Sequence, residues 1–242
     1  MSIVETDLLG PARELLPGVV DLRRELHVHP ELGLDLPRTQ AAVLDALDGL
    51  DLTITVGERL SSVVADLDGG RPGPTIVLRG DMDALPMTED TGLDFASRTG
   101  DTMHACGHDA HTAMLVGAAR LLAARRDDLP GRVRFMFQPG EEGSGGAALM
   151  MEDGVLDGVD GAFAIHVAPN VPAGIVAWKP GPALASADEL EIVLTGRGGH
   201  ASTPQWATDP VPAACELVLA LQSMITRTID VFDPAVLTIA QV

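Results

Sequence analysis

Thr75-Ile76-Val77-Leu78-Arg79-Gly80-Asp81-Met82-Asp83-Ala84-Leu85-Pro86 joins a short β-branched run to a pair of carboxylates. Upstream lies the turn sequence Asp68-Gly69-Gly70-Arg71-Pro72-Gly73-Pro74, so Thr75 to Leu78 reads as a buried strand. Its two aspartates then fall beyond a strand's carboxyl end, where open α/β sheets bind ligands. Arg132 to Gln138 repeats the arrangement: Val133, Phe135 and Phe137 alternate, and Pro139-Gly140-Glu141-Glu142-Gly143 follows. Ala162-Phe163-Ala164-Ile165 repeats it again as a buried strand ending at His166. Between these runs the spacing predicts one helix from Asp109, as N-cap, to Arg126, and another over Gly146 to Asp153. Met114, Leu115, Ala118, Leu121 and Leu122 form the expected buried face of the first. Strand, helix, strand, helix, strand predicts an α/β fold with a mostly parallel sheet flanked by helices.

Working outward, His104-Ala105-Cys106-Gly107-His108-Asp109-Ala110-His111 opens the first of these helices. It packs three of the chain's seven histidines and one of its two cysteines into eight residues. Thiol, imidazole and carboxylate donors at the same sheet edge suit Zn²⁺, Mn²⁺, Co²⁺ or Ni²⁺ better than Mg²⁺ or Ca²⁺. The adjacent pair Glu141-Glu142 divides naturally between a metal ligand and a proton acceptor for an activated water. Taken singly, each feature has an ordinary reading. Cys106 fits a small buried hydrophobe, His166 a hydrogen-bonded core residue, the glutamates a solvated loop and Asp109 a helix cap. A Cys106 nucleophile with His108 as base leaves Glu141, Glu142 and His166 without a role. A redox thiol lacks a neighbouring cysteine. Convergence of several strand ends favours the metal site.

Before this core, residues 12 to 27 have helical apolar spacing, stopped by Pro30, and Pro37 starts a second helix reaching Gly49. Leu52 to Val56 and Ser61 to Leu67 read as short strands. From Ser186 the texture changes. Glu189 to Thr195 and Ala235 to Ala240 read as strands around a helix from Pro210 to Ile229, with a glycine-rich loop at Gly196 to Ser202. The expected division is residues 1–185 for the metal-binding domain and 186–242 for the β-α-β start of an inserted α+β lid or dimerisation domain.

Composition narrows the partners. With 35 Asp+Glu against 16 Lys+Arg the net charge is −19, so no basic surface is available for nucleic acid or an anionic membrane. Two cysteines make no disulfide framework, no apolar run is long enough to span a membrane and no signal peptide is visible, which together predict a reduced cytoplasmic protein.

These stretches resemble the aminoacylase and carboxypeptidase family of two-metal metallopeptidases, particularly its amidohydrolase branch of hippurate hydrolase, N-acyl-amino-acid amidohydrolase and indole-acetyl-amino-acid hydrolase. The resemblance is carried by Leu22 to Gly33, Arg79 to Pro86, His104 to His111, Phe137 to Gly143, Ala164 to Val167 and Gly198 to Pro204. It implies two divalent transition-metal ions bridged by Cys106, with His108, Glu142 and His166 as terminal ligands. Glu141 is implied as general base and Asp83 as a supporting carboxylate. Related branches use a histidine ligand where Asp81 stands, a duty shifted here to His108. His200 is implied to reach from the lid of a homodimer into the partner's site, as a donor to the oxyanion or to the substrate carboxylate. The implied reaction is hydrolysis of N-acyl or N-aroyl amino acids. Deacetylation of an N-acetyl-diaminopimelate and dipeptide hydrolysis are alternatives, and an inactive fragment that only binds or dimerises is an alternative of another class. Family members continue through the rest of the lid to a further histidine ligand. A truncated chain of 242 residues is therefore expected to hold the second metal weakly and to turn over little.

Overall fold

Alternation along one strand decides how the sheet is covered. In β4 (Pro130–Gln138) Phe135 and Phe137 are fully buried on one side, while Met136 lies buried on the other. Helices therefore cover both faces. The structure, a computed structural model, describes residues 8–181, 188–233 and 235–242. In chain order it comprises α1 (Leu9–Val28), α2 (Pro37–Leu47), β1 (Thr53–Val56), β2 (Val63–Asp68), β3 (Arg71–Asp81), α3 (His108–Ala123), β4, α4 (Gly146–Glu152), β5 (Gly161–Ala164) and α5 (Pro210–Thr228). Single 3₁₀ turns lie at Arg126–Asp128 and Pro204–Trp206.

The sheet order is β1-β2-β4-β3-β5. β3 pairs in parallel with β4 and β5, whereas β2 is antiparallel to both β1 and β4. Four strands thus point one way and β2 the other. Leu78 sits opposite Phe135, and Asp81 opposite Gln138, so β3 and β4 end level with each other. One core layer joins Val63, Ala65, Leu67, Phe135 and Phe137 to Leu36, Val43 and Leu47 around α2 and to Leu115, Val116 and Ala119 of α3. The opposite layer is smaller: Val77 and Met136 meet Met150 of α4, Leu60 and Val155. Each such aliphatic side chain contributes about 1.5–3 kcal/mol when fully buried.

Some expectations shift. The inward face of α3 runs through His108, His111, Thr112, Leu115, Val116 and Ala119, and Met114 is exposed. Polar residues occupy the inward stripe next to the strand ends, so apolar periodicity alone points one residue aside. Asp109 is not the N-cap. Gly107, at φ +84, starts the helix, and Asp109 falls in its first turn. β5 is not buried: it is the last strand of the sheet, and Phe163 is 57 % exposed among the described residues. β4 begins at Pro130, two residues before the expected Arg132.

Glu31 ties the segment after α1 to its neighbours. Its carboxylate accepts the N–H groups of Arg38 (3.2 Å) and Thr39 (2.8 Å) in the first turn of α2, where an anion is favoured by the helix dipole. Its carbonyl accepts from Ala84 (2.8 Å), joining it to the segment just beyond β3.

The chain divides into two units, Met1–Asn170 and Val171–Val242. The division expected between residues 185 and 186 lies outside the described residues. In the second unit α5 forms, with Asp209 as N-cap accepting from the Val211 N–H at 2.9 Å. Ala214, Leu217, Val218, Leu221 and Ile225 are its half-buried stripe. The strands expected at 189–195 and 235–240 are not formed among the described residues, where this unit has only the isolated bridge Arg197 to Thr208. A strand exists by pairing, and neither segment pairs there. No described helix is long and apolar enough to cross a membrane.

Candidate metal centre

His108 is the hub of the site. It is the first residue of α3, directly after the left-handed Gly107, and its side chain is completely buried. Its Nδ1–H donates to the Asp83 carbonyl oxygen at 2.8 Å. Nε2 then carries a lone pair, has no hydrogen-bond partner, and faces Asp81 Oδ2 at 3.7 Å, Glu141 Oε2 at 3.8 Å and Glu142 Oε1 at 3.8 Å. A buried lone pair aimed among carboxylate oxygens is unfavourable unless a proton or a cation lies between them. Burial opposes a charge on His108, but the bond to Asp83 and the charges of Asp81, Asp83 and Glu142 outweigh it and raise its pKa.

Cys106 and His166 form the second half. Cys106 Sγ lies 3.4 Å from His166 Nε2, and His166 Nδ1–H donates to the Val167 carbonyl at 2.6 Å. Burial pushes the Cys106 thiol up to about 12, helped by Glu142, Glu141 and Asp81. A divalent cation reverses that logic, because a coordinated thiol is deprotonated. Ligand atoms of Cys106, His108 and His166 come within 4.8 Å of one another, as do those of His108, Glu141 and Glu142. Sulfur, imidazole nitrogen and carboxylate oxygen in this proportion fit a borderline transition metal.

Asp83 aims the glutamates. Its two oxygens accept the backbone N–H groups of Glu141 and Glu142, each at 2.9 Å. One carboxylate thereby fixes two consecutive residues beyond β4 from the loop beyond β3. Burial opposes ionisation of Asp83, yet His108 and these two N–H groups hold its pKa below the usual carboxylate range. The side chains of Glu141 and Glu142 remain 40 % and 28 % exposed, so this end of the site is open to a substrate.

Six of the residues expected from the sequence therefore meet: Asp83, Cys106, His108, Glu141, Glu142 and His166. His200 belongs to the second unit, where its Nδ1 accepts the Ser202 N–H at 3.2 Å.

Sequence reasoning missed a buried relay behind this centre. Asp109 Oδ2 takes Arg23 Nε and His27 Nδ1, each at 2.7 Å, and His27 Nε2 lies 3.3 Å from Glu89 Oε1. Glu89 also accepts the Ser97 N–H at 2.7 Å, which pins the loop between β3 and α3. Arg23 and Arg24 both lie against the Phe95 ring. Leu22 to Gly33 stood out in the sequence, but nothing marked Glu89. Nearby His104 is buried, with burial holding its pKa down at about 4, so it is neutral.

The relay carries a pH signature. The hydrogen bond to Asp109 raises the His27 pKa; burial opposes it, and Asp109's charge and Glu89 add to the rise while Arg23 reduces it. A raised folded value means the stabilisation is complete below the unfolded value of 6.5 and is lost as pH rises through the folded one. His27→Gln, a neutral amide, is thus expected to cost most stability near about pH 6 and less near about pH 9. Urea midpoints of metal-free protein at both values check this, and a pH-independent difference would contradict it.

Known proteins share much of this sequence and fold. The chain is 44 % identical to the N-acetylcysteine deacetylase of Bacillus subtilis, over 93 % of its own length and 59 % of the relative's. It is 38 % identical to the N-acyl-L-amino acid amidohydrolase of Geobacillus stearothermophilus, over 94 % of this chain and 62 % of that one. The crystal structure of Bacillus subtilis YXEP, a dinuclear metal binding peptidase, superposes with a TM-score of 0.68 at 43 % identity, covering 70 % of this chain and 48 % of YXEP. The chain thus spans about three-fifths of the length of these curated relatives. The sequence profile of Peptidase family M20/M25/M40 matches residues 77–238, which include Asp83, Cys106, His108, Glu141, Glu142 and His166, and the chain belongs to that family.

Proposed function

We propose that this chain forms the metal-binding part of an amidohydrolase that releases a free amino acid from an N-acyl or N-aroyl conjugate. The observation that carries the reading is the buried, unpartnered Nε2 of His108 aimed at Asp81, Glu141 and Glu142, beside the Cys106–His166 pair. Cys106, His108, Glu142 and His166 are the residues that would hold the metal. Divalent transition-metal ions held there would supply a Lewis acid for the scissile carbonyl and a water acidic enough to act as nucleophile at neutral pH. Glu141 is the proposed base: it takes that water's proton at a carboxylate oxygen and delivers it to the departing amine nitrogen. Its backbone is fixed by Asp83 and its side chain is partly open, which suits a group that must face both water and substrate. His200 is proposed to donate to the reacting carbonyl or to the substrate carboxylate across a homodimer.

The relatives' names support small N-acyl amino acids as the substrate class. Metal analysis of freshly purified protein, followed by assay of amino acid release from N-acetyl amino acids and N-benzoylglycine with added Zn²⁺ or Mn²⁺, tests the reading. Bound transition metal and slow, metal-dependent release are expected. Folded protein that takes up no metal would overturn the site.

A further inference from the structure

His166 is a side chain in need of a holder. β5 ends at Ala164, His166 is exposed two residues later, and its polar contacts among the described residues are its own neighbour's carbonyl and the Cys106 thiol. The residue beside it is anchored. The Val167 N–H donates to His111 Nε2 at 2.9 Å. A backbone N–H can only donate, so Nε2 of His111 bears the lone pair and the ring proton is on Nδ1. That Nδ1–H goes to Asp81 Oδ1 at 2.6 Å. Asp81 is fixed in turn: Arg79 Nη1 lies 2.6 Å from its other oxygen, and Thr112 Oγ1 donates to its carbonyl at 2.8 Å. Val167 is held from a second side as well, because a Cβ at Gly107 would collide with its side chain. The His111 and His166 rings meet edge to face, 4.7 Å between centroids.

His111 also lies with Asp81 and His108 in a buried cluster that could hold an ion. Both its ring nitrogens are already used, one as donor and one as acceptor, so no lone pair remains for a metal. We infer that Asp81 and His111 form a positioning pair that sets His166 at the metal centre by gripping the Val167 backbone. This rests on the proposal that His166 is a ligand. It gives the strand-end aspartate a task in this chain: Asp81 acts on the centre through an imidazole and a peptide N–H.

The test is a Zn²⁺ titration against a chromophoric chelator, with Co²⁺ spectra as a second readout of thiolate and imidazole ligation. His111→Phe is expected to weaken binding about 10–100-fold, as loss of an orienting partner does. His111→Gln, which keeps a donor and an acceptor on one amide, is expected to bind more tightly than His111→Phe. In a His166→Ala background the His111→Phe change should alter affinity by no more than about twofold, because its route is already gone. Equal losses in both backgrounds, or wild-type affinity in His111→Phe when His166→Ala is weakened, would overturn the inference. Failure of wild-type protein to bind Zn²⁺, or unaltered binding in His166→Ala, would instead remove the ligand assignment beneath it. Should His111→Phe not fold, ¹⁵N shifts of the wild-type protein decide: a neutral Nδ1–H tautomer and a slowly exchanging Val167 amide are expected, and an Nε2–H tautomer overturns the pair.

Discussion

Glu141→Gln is expected to retain bound metal and lose about 10²–10⁴-fold of the hydrolytic rate, the range for removing a positioned general base. The substitution leaves the shape, the backbone and both N–H contacts to Asp83 in place, so what changes is the ability to accept a proton. Gln cannot take a proton from water or return one to a leaving amine. Metal content and the far-ultraviolet spectrum should match the unmodified protein, and the loss should appear in kcat rather than KM. A variant that keeps most of its rate would remove Glu141 from the mechanism. A variant that loses its metal would make Glu141 a ligand.

His108→Ala is expected to have the largest effect on the fold. The imidazole is wholly buried, and Asp81 and Asp83, also buried, face it at 3.7 and 3.4 Å. Removing it leaves Asp81 to Arg79 and His111, and Asp83 to two backbone N–H groups, so two buried carboxylates lose the imidazole between them, at up to about 3–5 kcal/mol. For a domain of this size that lowers Tm by about 6–20 °C. The measurement is urea or thermal unfolding with chelator present, so that lost metal does not contribute. The pH dependence has a definite sign. Burial raises both aspartates' pKa values, but His111, His108 and Arg79 around Asp81, and His108 with the Glu142 and Glu141 N–H groups around Asp83, outweigh it, so both end below the usual 3.8. Stability from a depressed carboxylate is present above its unfolded pKa and is lost as pH falls through the folded value. His108 has a raised pKa, so the penalty of His108→Ala should be full between about pH 4 and 6.5, shrink below about pH 4, and shrink again as pH rises through the raised His108 value. Stability equal to the unmodified protein at about pH 6 would show that the centre does not depend on this residue.

The first unit was legible in the sequence where the period was strong. β4 announces itself through Val133, Phe135 and Phe137, and the turn before β3 through its glycines and prolines. The meeting of Asp83, Cys106, His108, Glu141, Glu142 and His166 followed from a topological rule about strand ends rather than from any one spacing. Where polar residues occupy inward positions the reading slipped, as with Met114 on α3. β5 carries a buried composition at the end of the sheet, which apolar content cannot reveal. The relay of Arg23, His27, Glu89 and Asp109 stayed hidden because it joins residues far apart in the chain, and nothing local to Glu89 sets it apart from an exposed glutamate. Pairing hid the rest: residues 189–195 and 235–240 have strand-like composition, but a ladder needs a partner that composition does not name.

The arrangement of β3, α3, β4, α4 and β5 has a bearing on the order of events in the cell. The residues from Asp81 to His166 arise from one continuous run of chain, and all five strands precede the second unit. Chains are synthesised N-terminus first, and domains tend to fold as they emerge. The six residues that meet in the first unit can therefore be brought together while later residues are still on the ribosome, so their assembly does not wait for the second unit to be made.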